Sequence, residues 1–101
     1  MIEVTYDEKR MAVEVKGHAG VAESGKDIVC SAASMCIMML INSLKDISAD
    51  FDCVINDGYS LVRINETSTD ADFAFRYTIK GLKLLSEFYP GNVAVSEFVQ
   101  N

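Results

Sequence analysis

The hydrophobic pattern of this chain changes period near residue 17, and that change dictates the order in which its elements can form. Before it, Ile2, Val4 and Tyr6 alternate with Glu3 and Thr5, and Met11, Val13 and Val15 alternate with Ala12, Glu14 and Lys16. A period of two puts one face of a strand on a core and leaves the other wet. The polar stretch Asp7 to Arg10 is then the turn of an antiparallel hairpin. After the change, residues 17–26 carry Gly17, Gly20 and Gly25 among short side chains, the composition of a mobile loop. Asp27 follows as a candidate N-cap, because its carboxylate can accept hydrogen bonds from the first-turn N–H groups of a helix.

The helix so opened is predicted from about residue 28 to about residue 47. Ile28, Val29, Ala32, Ala33, Met35, Ile37, Met38, Met39, Leu40, Ile41 and Leu44 leave it no wide polar stripe. Such a helix is covered on more than one side, here by a sheet and by either a second helix or a partner subunit, so a homodimer is expected. The longest apolar stretch, roughly Ala32 to Leu44, is broken by Ser34, Asn42 and Ser43 and is shorter than the ~20 residues of a membrane span, which points to a buried helix and no membrane.

Alternation returns at Phe51, Cys53 and Ile55. Asn56-Asp57-Gly58 supplies turn chemistry, and residues 59–65 read as the returning strand. Residues 67–70 suit a helix cap. Phe75, Thr78, Leu82, Leu85 and Phe88 or Tyr89 then recur at helical spacing up to Pro90-Gly91. Val93, Val95 and Phe98 suggest a short last strand. The fold class is therefore an α/β two-layer sandwich, ββαββα plus a short C-terminal strand, with a largely antiparallel sheet and two helices on one face. At 101 residues the chain is expected to be a single domain over 1–101.

Composition narrows the function classes. Half the residues are hydrophobic, so a core is expected. No basic leader or cleavable apolar run opens the sequence, which suggests a cytoplasmic protein. Cys30, Cys36 and Cys53 make an odd count without CxxC spacing, and there is one histidine. A disulfide framework, a metal site and a cofactor are accordingly not expected. The net charge is −6 with the basic residues scattered, which disfavours direct nucleic-acid binding and favours encounter with basic peptides or proteins.

The chemistry is concentrated in Gly17-His18-Ala19-Gly20 and in Asp27-Ile28-Val29-Cys30-Ser31-Ala32-Ala33-Ser34. With Asp27 as N-cap, Cys30 is the third helical residue, where the helix dipole is positive and a thiolate is stabilised. The only histidine stands where the second strand ends, able to be delivered beside that helix start. His18 and Cys30 then form a nucleophile and base dyad. His18 takes the thiol proton and returns it to the leaving amine, and the backbone N–H of Cys30 or Ser31 serves the developing oxyanion. Two roles are open for Asp27, capping the helix or orienting His18. Two are open for Ser34, one turn after Cys30: a hydrogen bond near the site, or a small core residue. A cysteine in such a chain is more commonly a small hydrophobe, the role assigned to Cys36 and Cys53, and the Met35, Met38 and Met39 cluster reads as core or interface packing.

With GHAG, GKDIVCSAAS, the NDG hairpin and GLKLLSEFYP, the sequence resembles the ribosomal-processing cysteine protease family, Prp, over nearly its whole length. The family's histidine and cysteine match His18 and Cys30, and its aspartate and serine match Asp27 and Ser34. The resemblance implies a homodimeric bacterial endopeptidase that removes the N-terminal extension of large-subunit ribosomal protein twenty-seven, cutting after aromatic residues, with a loop that orders around substrate where Gly17, Gly20 and Gly25 stand. The competing readings are a non-catalytic, ribosome-associated peptide-binding module and, with less support, a thiol redox enzyme or another hydrolase.

Overall fold

The computed structural model describes residues 1–18 and 28–99. In chain order these form β1 (Ile2–Asp7), β2 (Ala12–Lys16), α1 (Ile28–Asp46), β3 (Phe51–Asn56), β4 (Tyr59–Ile64), α2 (Thr69–Phe88) and β5 (Val93–Glu97). The predicted order holds, with element ends shifted by a residue or so.

Alternation along the sequence becomes register in the sheet. Val4 stands opposite Val15 and Tyr6 opposite Val13 across the first hairpin. Val13 in turn faces Val62 of β4, and Ile2 faces Val93 of β5. Both members of each pair are apolar, and these residues lie on the same side of the sheet. The strand order is β3-β4-β2-β1-β5; every pairing is antiparallel except β1 with β5, which is parallel. Asp7 closes the first turn by accepting from the backbone N–H of Lys9 and of Arg10 (3.0 and 3.2 Å).

Both helices lie on that apolar side. Val29, Ala33, Ile37, Leu40, Ile41 and Leu44 of α1 and Ala71, Phe75, Ile79, Leu82 and Leu85 of α2 join the strand residues in one core cluster. Ser68 caps α2, its hydroxyl accepting from the N–H of Ala71 at 3.0 Å. Asp70 and Asp72 in the first turn complement the helix dipole there. Thr78 is buried because its hydroxyl donates to the Ala74 carbonyl one turn back (2.8 Å), leaving no orphaned polar group.

Three details differ from the sequence reading. The apolar run reads as too short for a membrane span, yet α1 is by length and composition long and apolar enough for one; its Val29-to-Leu44 face is packed on the sheet and α2, as the buried-helix reading expects. Its far side is not core: Met35 and Met39 are 60% and 59% exposed, and Met38 is 44% exposed. Cys53, expected to be a small buried hydrophobe, is exposed. It shares the core-facing side of the sheet with its partner Val62, but β3 is an edge strand beyond the cover of the helices, so facing the core side does not bury it.

Candidate active site

Where β2 ends, the chain is pinned from two directions. The N–H of Gly17 donates to the carbonyl of Gly58 in the β3–β4 turn (2.8 Å), and the α-amino group of Met1 donates to the carbonyl of His18 (2.6 Å). Gly17 has φ +96, and a Cβ there would run into the Met1 carbonyl, so glycine is required on both counts. These constraints set the backbone from which the His18 side chain projects.

A cleft of about 260 Å³ opens between that strand end, the start of α1 and the tip of the β3–β4 hairpin. His18 and Cys30 both line it, as do Gly17 and Ser34. Cys30 lies in the first turn of α1, half-buried and packed against the core cluster. No acidic residue stands in that first turn to offset the positive end of the helix. Ile37 and Met38 of α1 supply apolar wall, and residues 55–60 of the hairpin close the other side with Asp57 and Tyr59 among them. The Tyr59 hydroxyl donates to the Glu14 carboxylate at 2.8 Å, and that bond pushes the phenol above its ordinary pKa.

The structure thus brings His18, Cys30, Ser34 and Gly17 to one cavity. Ser34 is exposed on the cleft wall rather than a small core residue. Ser31 is exposed and does not line the cleft. Asp27, Gly20 and Gly25 lie outside the described residues. Cys36 sits on the α1–α2 side, where burial pushes its thiol up and away from nucleophilic use. Among the described residues, no group of three His, Cys, Asp or Glu side chains is gathered as metal ligands. Sequence reasoning missed the hairpin wall altogether. Asn56-Asp57-Gly58 signalled only a turn, and nothing local tells that β4 pairs with β2 and so carries the turn to His18.

Solved structures resemble this fold over nearly the whole chain. A crystal structure of the ribosomal processing protease Prp from S. aureus, with a covalently linked product peptide, superimposes with a TM-score of 0.90 at 25% identity, covering 97% of this chain and 100% of that one. The same protease with a substrate peptide has a TM-score of 0.78 at 24% identity, covering 96% and 97%. SMU.848 from Streptococcus mutans has a TM-score of 0.76 at 28% identity, covering 99% and 96%. No curated protein matches the sequence. The two-layer fold and these matches define a cysteine peptidase. The model of the family "Cysteine protease Prp" matches residues 1–94, and the chain belongs to that family.

Proposed function

We propose that the protein is a single-domain cytoplasmic endopeptidase that removes the N-terminal extension of large-subunit ribosomal protein twenty-seven, with Cys30 as nucleophile and His18 as general base and acid. The observation that carries this reading is that the chain's only histidine and a first-turn helix cysteine share one open cleft. His18 takes the Cys30 proton, and the thiolate, favoured by the positive end of α1, attacks the scissile carbonyl. Collapse of the tetrahedral intermediate breaks the C–N bond, the amine leaves with the proton from His18, and water then hydrolyses the thioester with His18 again as base. Ile37, Met38 and Ile55 give the cleft an apolar wall suited to a large apolar side chain beside the cut. Asp57 on the wall and the net charge of −6 suit a substrate drawn from a basic ribosomal protein.

The direct test is incubation with a peptide spanning the extension and the mature start of that ribosomal protein, read by mass spectrometry. One cut at the junction is expected. An intact peptide, or scattered cuts, would speak for the non-catalytic peptide-binding alternative or for another substrate.

A homodimer belongs to the same proposal. Met35 and Met39 of α1 and the stacked pair Phe73 and Tyr77 of α2 (ring centroids 5.7 Å apart) leave an apolar groove of about 790 Å³ on the outside of the helix layer. Monomers rarely leave such patches open. Size-exclusion chromatography with light scattering should give twice the 11.1 kDa chain mass at micromolar concentration; a mass of one chain removes the dimer.

A further inference from the structure

We infer that Gly58 is a positioning residue for His18: the tip of the β3–β4 hairpin is the seat of the imidazole, and only a residue without a side chain leaves room for it. The inference rests on the Cys30/His18 reading and adds a residue to it. A Cβ built on Gly58 would stand 2.8 Å from Nε2 of His18, 3.4 Å from Cε1 and 3.5 Å from Cδ2. The ring therefore lies against the glycine by the Nε2 edge, at a separation that a methyl group would occupy. The same glycine carries the carbonyl that receives the Gly17 N–H, so one residue holds both the backbone before the histidine and the ring itself. Its φ of +70 is left-handed, which the two-residue turn between Asn56 and Tyr59 uses. The hairpin reaches His18 because β4 pairs with β2 in register, Tyr59 opposite Lys16.

The physical consequence is asymmetric. The atoms that a new Cβ would meet belong to the free end of a side chain rather than to backbone, so the clash is relieved by turning the ring, on top of the backbone strain that a side chain at φ +70 carries. A displacement on the order of 1 Å costs little stability but about 100-fold in rate when the displaced group must exchange a proton with the nucleophile.

The test compares Gly58→Ala and Gly58→Asn with the parent enzyme and with His18→Ala. Asparagine tolerates left-handed backbone, so its variant separates the steric effect from backbone strain. Three quantities are read: thermal stability, kcat and KM on the extension peptide, and the pH dependence of Cys30 alkylation by iodoacetamide followed by peptide mass mapping. Both variants are expected to stay folded, to lose about 100-fold in kcat with little change in KM, and to show an alkylation profile moved toward that of His18→Ala. A His18→Ala profile that differs from the parent's, beside parent-like profiles in both Gly58 variants, overturns the inference and leaves the dyad standing. A parent-like profile in His18→Ala removes the dyad and the inference with it. The parent protein offers a check free of folding effects. With a single histidine in the chain, a nuclear Overhauser contact between its ring protons and the Gly58 Hα protons is unambiguous, and its absence also overturns the inference.

Discussion

Cys30→Ala is expected to abolish peptide cleavage, by ~10⁴-fold or more, while leaving the fold in place. The sulfur is the group on which the proposed acyl-enzyme forms, so no neighbouring residue takes over its part. Cys36 lies on the α1–α2 side with its thiol pushed up by burial, and Cys53 is on the edge strand away from the cleft wall. The change removes one half-buried sulfur at the margin of the core, a cost expected to be on the order of 1 kcal/mol. Circular dichroism and the melting temperature should therefore be close to those of the parent, and a variant that still binds the peptide without cutting it completes the result. Continued turnover in a folded Cys30→Ala protein would refute the mechanism.

Phe75→Ala is expected to have the largest effect on stability. Phe75 is 2% exposed near the middle of the core-facing side of α2, among the largest fully enclosed side chains in the protein. Truncating a buried phenylalanine costs about 3–5 kcal/mol, as lost transfer free energy plus the cavity left behind. A chain of this size has a total stability of about 5–15 kcal/mol, so much of it disappears, and each kcal/mol lowers the midpoint by about 4–8 °C. Thermal or urea unfolding reads the change directly. A loss below about 1 kcal/mol would mean that the helix layer collapses into the space, contrary to the close packing expected of such a core. Phe88, on the same helix, 76% exposed and outside the groove between the helices, is the control; its replacement by alanine should barely move the midpoint.

Much of this architecture was legible because local periodicity reports directly which way a side chain points. Ile2, Val4 and Tyr6 had to face one way, Phe75, Leu82 and Leu85 had to share a helix face, and the structure buries all of them. Direction is not burial, however. Cys53 points to the correct side and is still exposed, because whether a helix layer extends over the sheet edge depends on the strand order. Met35 and Met39 show the same gap for a helix. An all-apolar helix argues that every side is covered, yet within one chain that side of α1 stays open. His18 and Cys30 could be paired from sequence because each sits at the end of a recognisable element. The hairpin that walls their cleft could not, since its place follows from the pairing of β2 with β4 across more than forty intervening residues.

The two groups of the proposed dyad are carried by different layers. The histidine stands just past the end of β2, a strand, and the thiol in the first turn of α1, a helix. A partly folded chain with its strands assembled and α1 undocked would own every residue of the enzyme and have no hydrolytic power. On the proposed mechanism, hydrolysis therefore depends on the contact between the two layers and not on either layer alone.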